Sequence, residues 1–217
     1  MKFQEALNTY LIENYIEVKK SYKWDFSTKN FPLSFVKKFT NDYQNSIDLR
    51  EFIHMAIWTS SDKASDLQIW YVRDWGGVKS NRPTTLSDYI QASSDDLINR
   101  SDKGIASWSK MLSVRDPSKY AIYDARVALS LNTISLIHAS GSNLFFPQLA
   151  SRNKKIVAAQ TLIQNFAIYK SLKHDEDFYR KYLNYLNIAV TQCGNKFDMQ
   201  TAEMVLFANA VTLVERW

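Results

Sequence analysis

Apolar residues recur at three- and four-residue steps near both ends of this chain. Phe3, Leu7, Tyr10, Leu11 and Val18 form one such stripe; Ile156, Ala159, Ile163 and Phe166 form a second; Phe178, Tyr182, Leu186 and Val190 form a third. That spacing gathers side chains on one face of an α-helix, so each set predicts a helix with a buried stripe. The run from Thr201 to Arg216 is nearly all apolar in its middle (Met204, Val205, Leu206, Phe207, Ala208). It predicts a helix buried on most sides, with Asp198 as its N-cap.

Between residues 22 and 50 the pattern is irregular. Trp24, Phe26, Phe31, Pro32 and Phe35 predict a loop that packs aromatics, followed by a helix from about Pro32. Leu67 to Val72 fits a short strand or a buried helical segment ending at Gly76 and Gly77, and the helical character of the remainder favours the helix. Thr85-Leu86-Ser87-Asp88 has the Ser/Thr-x-x-acid spacing of a helix start, which makes residues 74 to 84 a loop between helices. No internal repeat and no long linker interrupts the chain. The expected architecture is all-α: a single helical domain, or two helical lobes around a cleft.

Composition narrows the class. With 217 residues, 46% of them hydrophobic, the chain is long enough to bury one sizeable core. Six Trp with twelve each of Tyr and Phe exclude disorder, and only 5 Gly and 4 Pro exclude collagen-like and low-complexity architectures. The single cysteine, Cys193, cannot form an internal disulfide, which suits a reducing cytoplasm. The first residues, Met1-Lys2-Phe3-Gln4-Glu5, reach an acid at once and do not read as a secretory leader. The longest stretch free of Asp, Glu, Lys and Arg lies between Arg126 and Arg152. Asn132, Thr133, His138, Gly141, Ser142, Asn143 and Pro147 interrupt it, so no membrane span is expected. His54, His138 and His174 are far apart and show no metal-ligand spacing, so neither metal nor cofactor is expected. A net charge of +5 leans softly toward a polyanionic partner.

Candidate chemistry concentrates in residues 104 to 132. The stretch parses as a glycine turn at Gly104, a helix carrying Lys110, a break at Asp116-Pro117, an extended Tyr120-Ala121-Ile122-Tyr123, and a helix starting at Asp124. A carboxylate at a helix N-terminus accepts backbone N–H bonds, feels the positive end of the dipole and stays ionised at neutral pH. By spacing alone Asp124 is an N-cap; its position also suits an anion facing developing positive charge. Residues 103 to 126 hold Lys103, Lys110, Arg115, Lys119 and Arg126 against Asp116 and Asp124, a local net charge of +3.

Ser109-Lys110-Met111-Leu112, followed by Asp116-Pro117-Ser118-Lys119-Tyr120-Ala121-Ile122-Tyr123-Asp124-Ala125-Arg126-Val127, resembles the pattern of bacterial proteins similar to 8-oxoguanine DNA glycosylases. These are relatives of the helix-hairpin-helix DNA glycosylases. The loop Arg73-Asp74-Trp75-Gly76-Gly77-Val78-Lys79 resembles a Trp-Gly-Gly element of the same group. Three features depart from the pattern: Gly104-Ile105-Ala106-Ser107-Trp108-Ser109 replaces a compact glycine hairpin, the separation of 14 between Lys110 and Asp124 is shorter than the usual gap, and Ala121 stands where proline is common.

The resemblance implies a glycosylase fold with its site in a cleft and double-stranded DNA as partner, acting as a monomer. It places Asp124 on the catalytic aspartate and Lys110 on the hairpin lysine. Breaking an N-glycosidic bond passes through an oxocarbenium-like sugar, which a nearby carboxylate stabilises. A lysine that also cleaves the strand attacks C1′ as a free amine, although an ordinary lysine titrates near ~10.4. If Lys110 only contacts phosphate, the enzyme is monofunctional. Access requires flipping the nucleotide into a pocket with an aromatic face, for which Trp75, Trp108 and Tyr123 are the candidates. Gly104, Ser107, Ser109, Arg126, Lys79, Arg152 and Lys154 are the candidates for the DNA backbone. An oxidised purine is the substrate most directly implied. Excision of a hypermodified phage base in defence, and a non-catalytic DNA-binding module, are the alternatives.

Overall fold

The computed structural model describes residues 2–35, 40–59, 61–138, 144–165 and 177–215, and among these the regular structure is entirely helical. Helix α1 (Phe3–Ser21) buries the predicted stripe of Phe3, Leu7, Tyr10, Leu11 and Val18 together with Ala6. The predicted stripes of α8 (Lys154–Gln164) and α9 (Phe178–Gln192) are also buried at Ile156, Ala159, Ile163, Phe178, Tyr182 and Leu186. Phe166, His174 and Arg216 lie outside the described residues. Helix α10 (Met199–Glu215) is buried without interruption from Met199 to Phe207, and the Asp198 carboxylate accepts the Thr201 N–H at 2.7 Å, the predicted cap.

Two helix starts differ from expectation. No helix begins at Pro32. Helix α2 (Asp42–Trp58) starts ten residues later, where Asn41 accepts from the Gln44 N–H. Phe31 and Phe35 instead pack their rings on Phe52, and Phe31 also meets Trp70, so these aromatics fasten a loop to α2. Helix α4 (Pro83–Gln91) starts two residues before Thr85, because Pro83 takes the first helical position, where its fixed φ and missing N–H cost nothing.

Leu67 to Val72 is helical, as favoured. Helix α3 (Ala64–Trp70) runs into a single π turn over Tyr71–Trp75, closed by the Gly76 N–H donating to the Tyr71 carbonyl at 2.8 Å. The loop predicted from residue 74 therefore begins at Gly76. After the short α5 (Ser94–Ile98), α6 (Ile105–Arg115) and α7 (Ala125–His138) carry the motif residues.

Helix α7 packs most extensively on α10, and both pack on α1. The main core, built on α1, α6, α7, α9 and α10, contains Trp108, Leu112, Val127 and Leu206. A second cluster joins Leu49 and Ile53 of α2 to Trp70, Tyr71, Trp75, Val114 and Ile122. Helix α6 contributes to both, and Trp24 packs against both from the segment after α1. The seam between the clusters is where the candidate chemistry lies. No helix among the described residues is long and apolar enough to cross a membrane.

Candidate active site

Lys110 and Asp124 are fourteen positions apart in sequence, and backbone bonding between their neighbours brings them together. Ser109, buried on α6, accepts the Tyr123 N–H at 3.1 Å and donates to the Tyr123 carbonyl at 3.4 Å. This double link lays the extended residues 120–123 against α6 and starts α7 beside Lys110. Asp124 caps α7 as predicted, its Oδ1 accepting from the Arg126 and Val127 N–H groups at 2.9 and 3.0 Å.

Lys110 and Asp124 line one cavity with Tyr22, Trp24, Trp75, Gly76, Ile122, Glu203 and Phe207. About 30 Å³ of it is free, room for one or two waters but not for a purine ring. Lys110 is only 5% exposed, and its Nζ donates to the Ala106 carbonyl at 2.6 Å. Burial lowers its pKa below the ordinary lysine value, against the opposing pull of Asp124 and Glu203. The direction of the shift is toward the free amine that nucleophilic chemistry requires.

The π turn brings Gly76 over the lysine stem. A Cβ at this position would lie 2.6 Å from Lys110 Cδ, closer than any side chain tolerates. Trp75, in the same turn, stacks on Tyr71 with ring centroids 4.2 Å apart, and its carbonyl accepts from Trp24 Nε1 at 3.2 Å. The Trp75 indole N–H is buried without an acceptor among the described residues. Beneath the cavity, Glu203 forms an ion pair with the fully buried Arg50 at 2.6 Å, and Arg50 Nε donates to the Tyr71 hydroxyl at 2.8 Å. Burial pushes the Glu203 carboxyl up, with Arg50 offsetting part of the shift.

Compared with known proteins, this chain matches no family model, no curated protein and no solved structure.

The other predicted site residues divide sharply. Trp75 lines the cavity; Trp108 and Tyr123 do not. Trp108 is fully buried, donates its indole N–H to the Lys103 carbonyl and meets Tyr179 edge-on, as a core residue does. Tyr123 is equally buried, donates to the Pro147 carbonyl at 2.6 Å and packs on Phe178 and Tyr182. Tyr22, Trp24 and Phe207 take their places in the aromatic wall.

Ser109 is occupied with Tyr123, and Ser107 accepts from Asn81 Nδ2 at 2.7 Å, tying the 76–82 loop to α6. Gly104 holds the left-handed turn before α6 at φ 74°, where a Cβ would fall on the Tyr89 hydroxyl. Arg126 is half-buried with its guanidinium 4.7 Å from the Phe207 ring centre. Lys79, Arg152 and Lys154 are exposed. Arg115 is no free cation: its guanidinium donates to the Tyr89, Ile90 and Ala92 carbonyls that end α4 and to Gln68.

Among the described residues no group of three or more His, Cys, Asp or Glu is placed to hold a metal ion. Sequence reasoning missed Tyr22, Trp24, Arg50, Glu203 and Phe207. Glu203 did carry a signal, as one carboxylate inside an otherwise apolar helical run.

Proposed function

We propose that this chain is a DNA N-glycosylase that excises a damaged or modified base from double-stranded DNA, with an oxidised purine as the first substrate to test. The carrying observation is the convergence of a buried, pKa-lowered Lys110 and the helix-capping Asp124 in one aromatic-walled cavity. The Asp124 carboxylate opposes the positive charge that develops on the sugar as the glycosidic bond breaks. The Lys110 amine attacks C1′, the base departs with the bonding electron pair and takes up a proton, and loss of the ring oxygen from C1′ yields the Schiff base. The unpaired Trp75 N–H is a donor available to a base carbonyl.

Admitting a base requires the aromatic wall to open. Trp24 is its most exposed member, half-buried where Tyr22, Trp75 and Phe207 are buried. The exposed Lys79, Arg152 and Lys154 and the half-buried Arg126 supply cations for the DNA backbone.

Borohydride trapping on duplexes containing 8-oxoguanine, uracil, alkylated bases or an abasic site tests the reading. The expected result is a covalent adduct that disappears in K110Q. D124N should keep DNA affinity and lose base release by about 10²- to 10³-fold. DNA binding with no base release and no adduct on any duplex overturns it in favour of a non-catalytic binding module.

A further inference from the structure

The buried pair beneath the cavity has no role in the scheme above. Arg50 on α2 and Glu203 on α10 are 0% and 2% exposed at their side chains, and Arg50 Nη2 makes no hydrogen bond among the described residues. A buried pair left partly unsatisfied is a poor stabiliser, since apolar residues of similar volume commonly do as well. Its position suggests another use: Glu203 opens onto the same cavity as Lys110.

We propose that Arg50 and Glu203 are positioning residues that act on Lys110 through charge: Arg50 compensates Glu203, so that the helix-capping Asp124 is the one carboxylate left to hold the lysine's proton, and Lys110 is free to give it up. Two bare carboxylates in one enclosed site would hold the lysine as ammonium, because charge interactions in a poorly solvated pocket are strong. The charged groups acting on Lys110 come from three elements: Arg50 from α2, Asp124 at the cap of α7 and Glu203 from α10. Tyr22 and Tyr71, which adjoin the same pair, remain neutral phenols because burial raises both. Gly76, from the π turn, covers the lysine stem without adding charge. Lys110 also needs no carboxylate to satisfy its nitrogen, since the Ala106 carbonyl accepts its hydrogen bond.

The consequence for Schiff-base chemistry rests on the glycosylase reading, but the titration of Lys110 does not. The test is therefore made on the whole protein without DNA. The Lys110 amine is titrated by NMR in 15N-lysine-labelled protein, its signal identified by loss in K110Q. In R50M the half-titration point should rise by about one pH unit or more, and in E203Q it should fall by a similar amount. The neutral pair R50M/E203L and the charge-keeping R50K should both titrate close to wild type. Equal half-titration points in wild type, R50M and E203Q overturn the proposal, as does a rise in E203Q. If a single variant does not fold, R50M/E203L and R50K decide, and a displacement of about half a unit or more in either overturns it. Titrations that shift as stated, in a protein that forms no borohydride adduct with any duplex, would leave the charge relation standing and remove the glycosylase.

Discussion

Lys110 combines two demands that oppose each other. A lysine held at 5% exposure is a burden on the folded state and an asset to a nucleophile. Its pKa is lower folded than unfolded, so the unfolded chain binds the proton more tightly between those two values, and stability rises with pH there. The penalty is complete below the folded value and gone above the ordinary 10.5. K110M should accordingly be more stable than the parent at pH 6 by about 1 kcal/mol or more, with a gain that shrinks toward pH 10.5. Urea unfolding across that range measures it. Adduct formation in the parent should rise over the same window as the free amine appears. Gly76 acts on the same side chain from above. In G76A the new methyl group meets Lys110 Cδ and Cε and the Val72 carbonyl, so the lysine must shift. The expected cost is about 1–3 kcal/mol in stability, with adduct yield falling further than the stability loss explains.

At the scale of elements, the site depends on how α6 is fastened to the segment before α7. Ser109 accepts the Tyr123 N–H and donates to the Tyr123 carbonyl, so S109A removes both of these links between α6 and the segment before α7. The expected loss is about 1–3 kcal/mol by thermal unfolding, together with slower base release as Asp124 loses its register with Lys110. These local relations were legible beforehand. The glycine turn at Gly104, the helix bearing Lys110, the break at Asp116 and the Asp124 cap each have a short-range cause in the sequence. The aromatic wall was not legible. Tyr22 and Trp24 follow α1, Phe207 sits deep in α10, and only tertiary packing unites them. Trp108 and Tyr123 looked suitable because they adjoin the motif. On α6 and the extended segment, however, they point into the main core. Phe31 and Phe35 pack as an aromatic loop, as expected, and only the helix that follows them starts later than Pro32, at Asp42.

At the scale of the whole molecule, the proposed attraction to DNA rests on a small charge excess whose members are unequal. Arg115 is tied to carbonyls and Lys110 is buried, whereas Lys79, Lys103, Arg152 and Lys154 reach solvent. Affinity for duplex DNA should fall as salt rises, and R152A/K154A should lower the slope of log K against log salt by about 1 for each phosphate no longer neutralised. R115A should leave that slope unchanged and lower the unfolding midpoint instead.

The π turn at Tyr71–Trp75 shows how narrowly the seam between the two cores is set. The turn takes up one residue more than a regular α-turn holds, and the Gly76 N–H closes it on the Tyr71 carbonyl five residues back. Trp75 and Gly76, the last residue of the turn and the one that closes it, both line the cavity with Lys110. The molecule thus stores a surplus residue at the rim of the cavity, and the glycine that closes the turn is the one position there that the lysine stem leaves no room to enlarge.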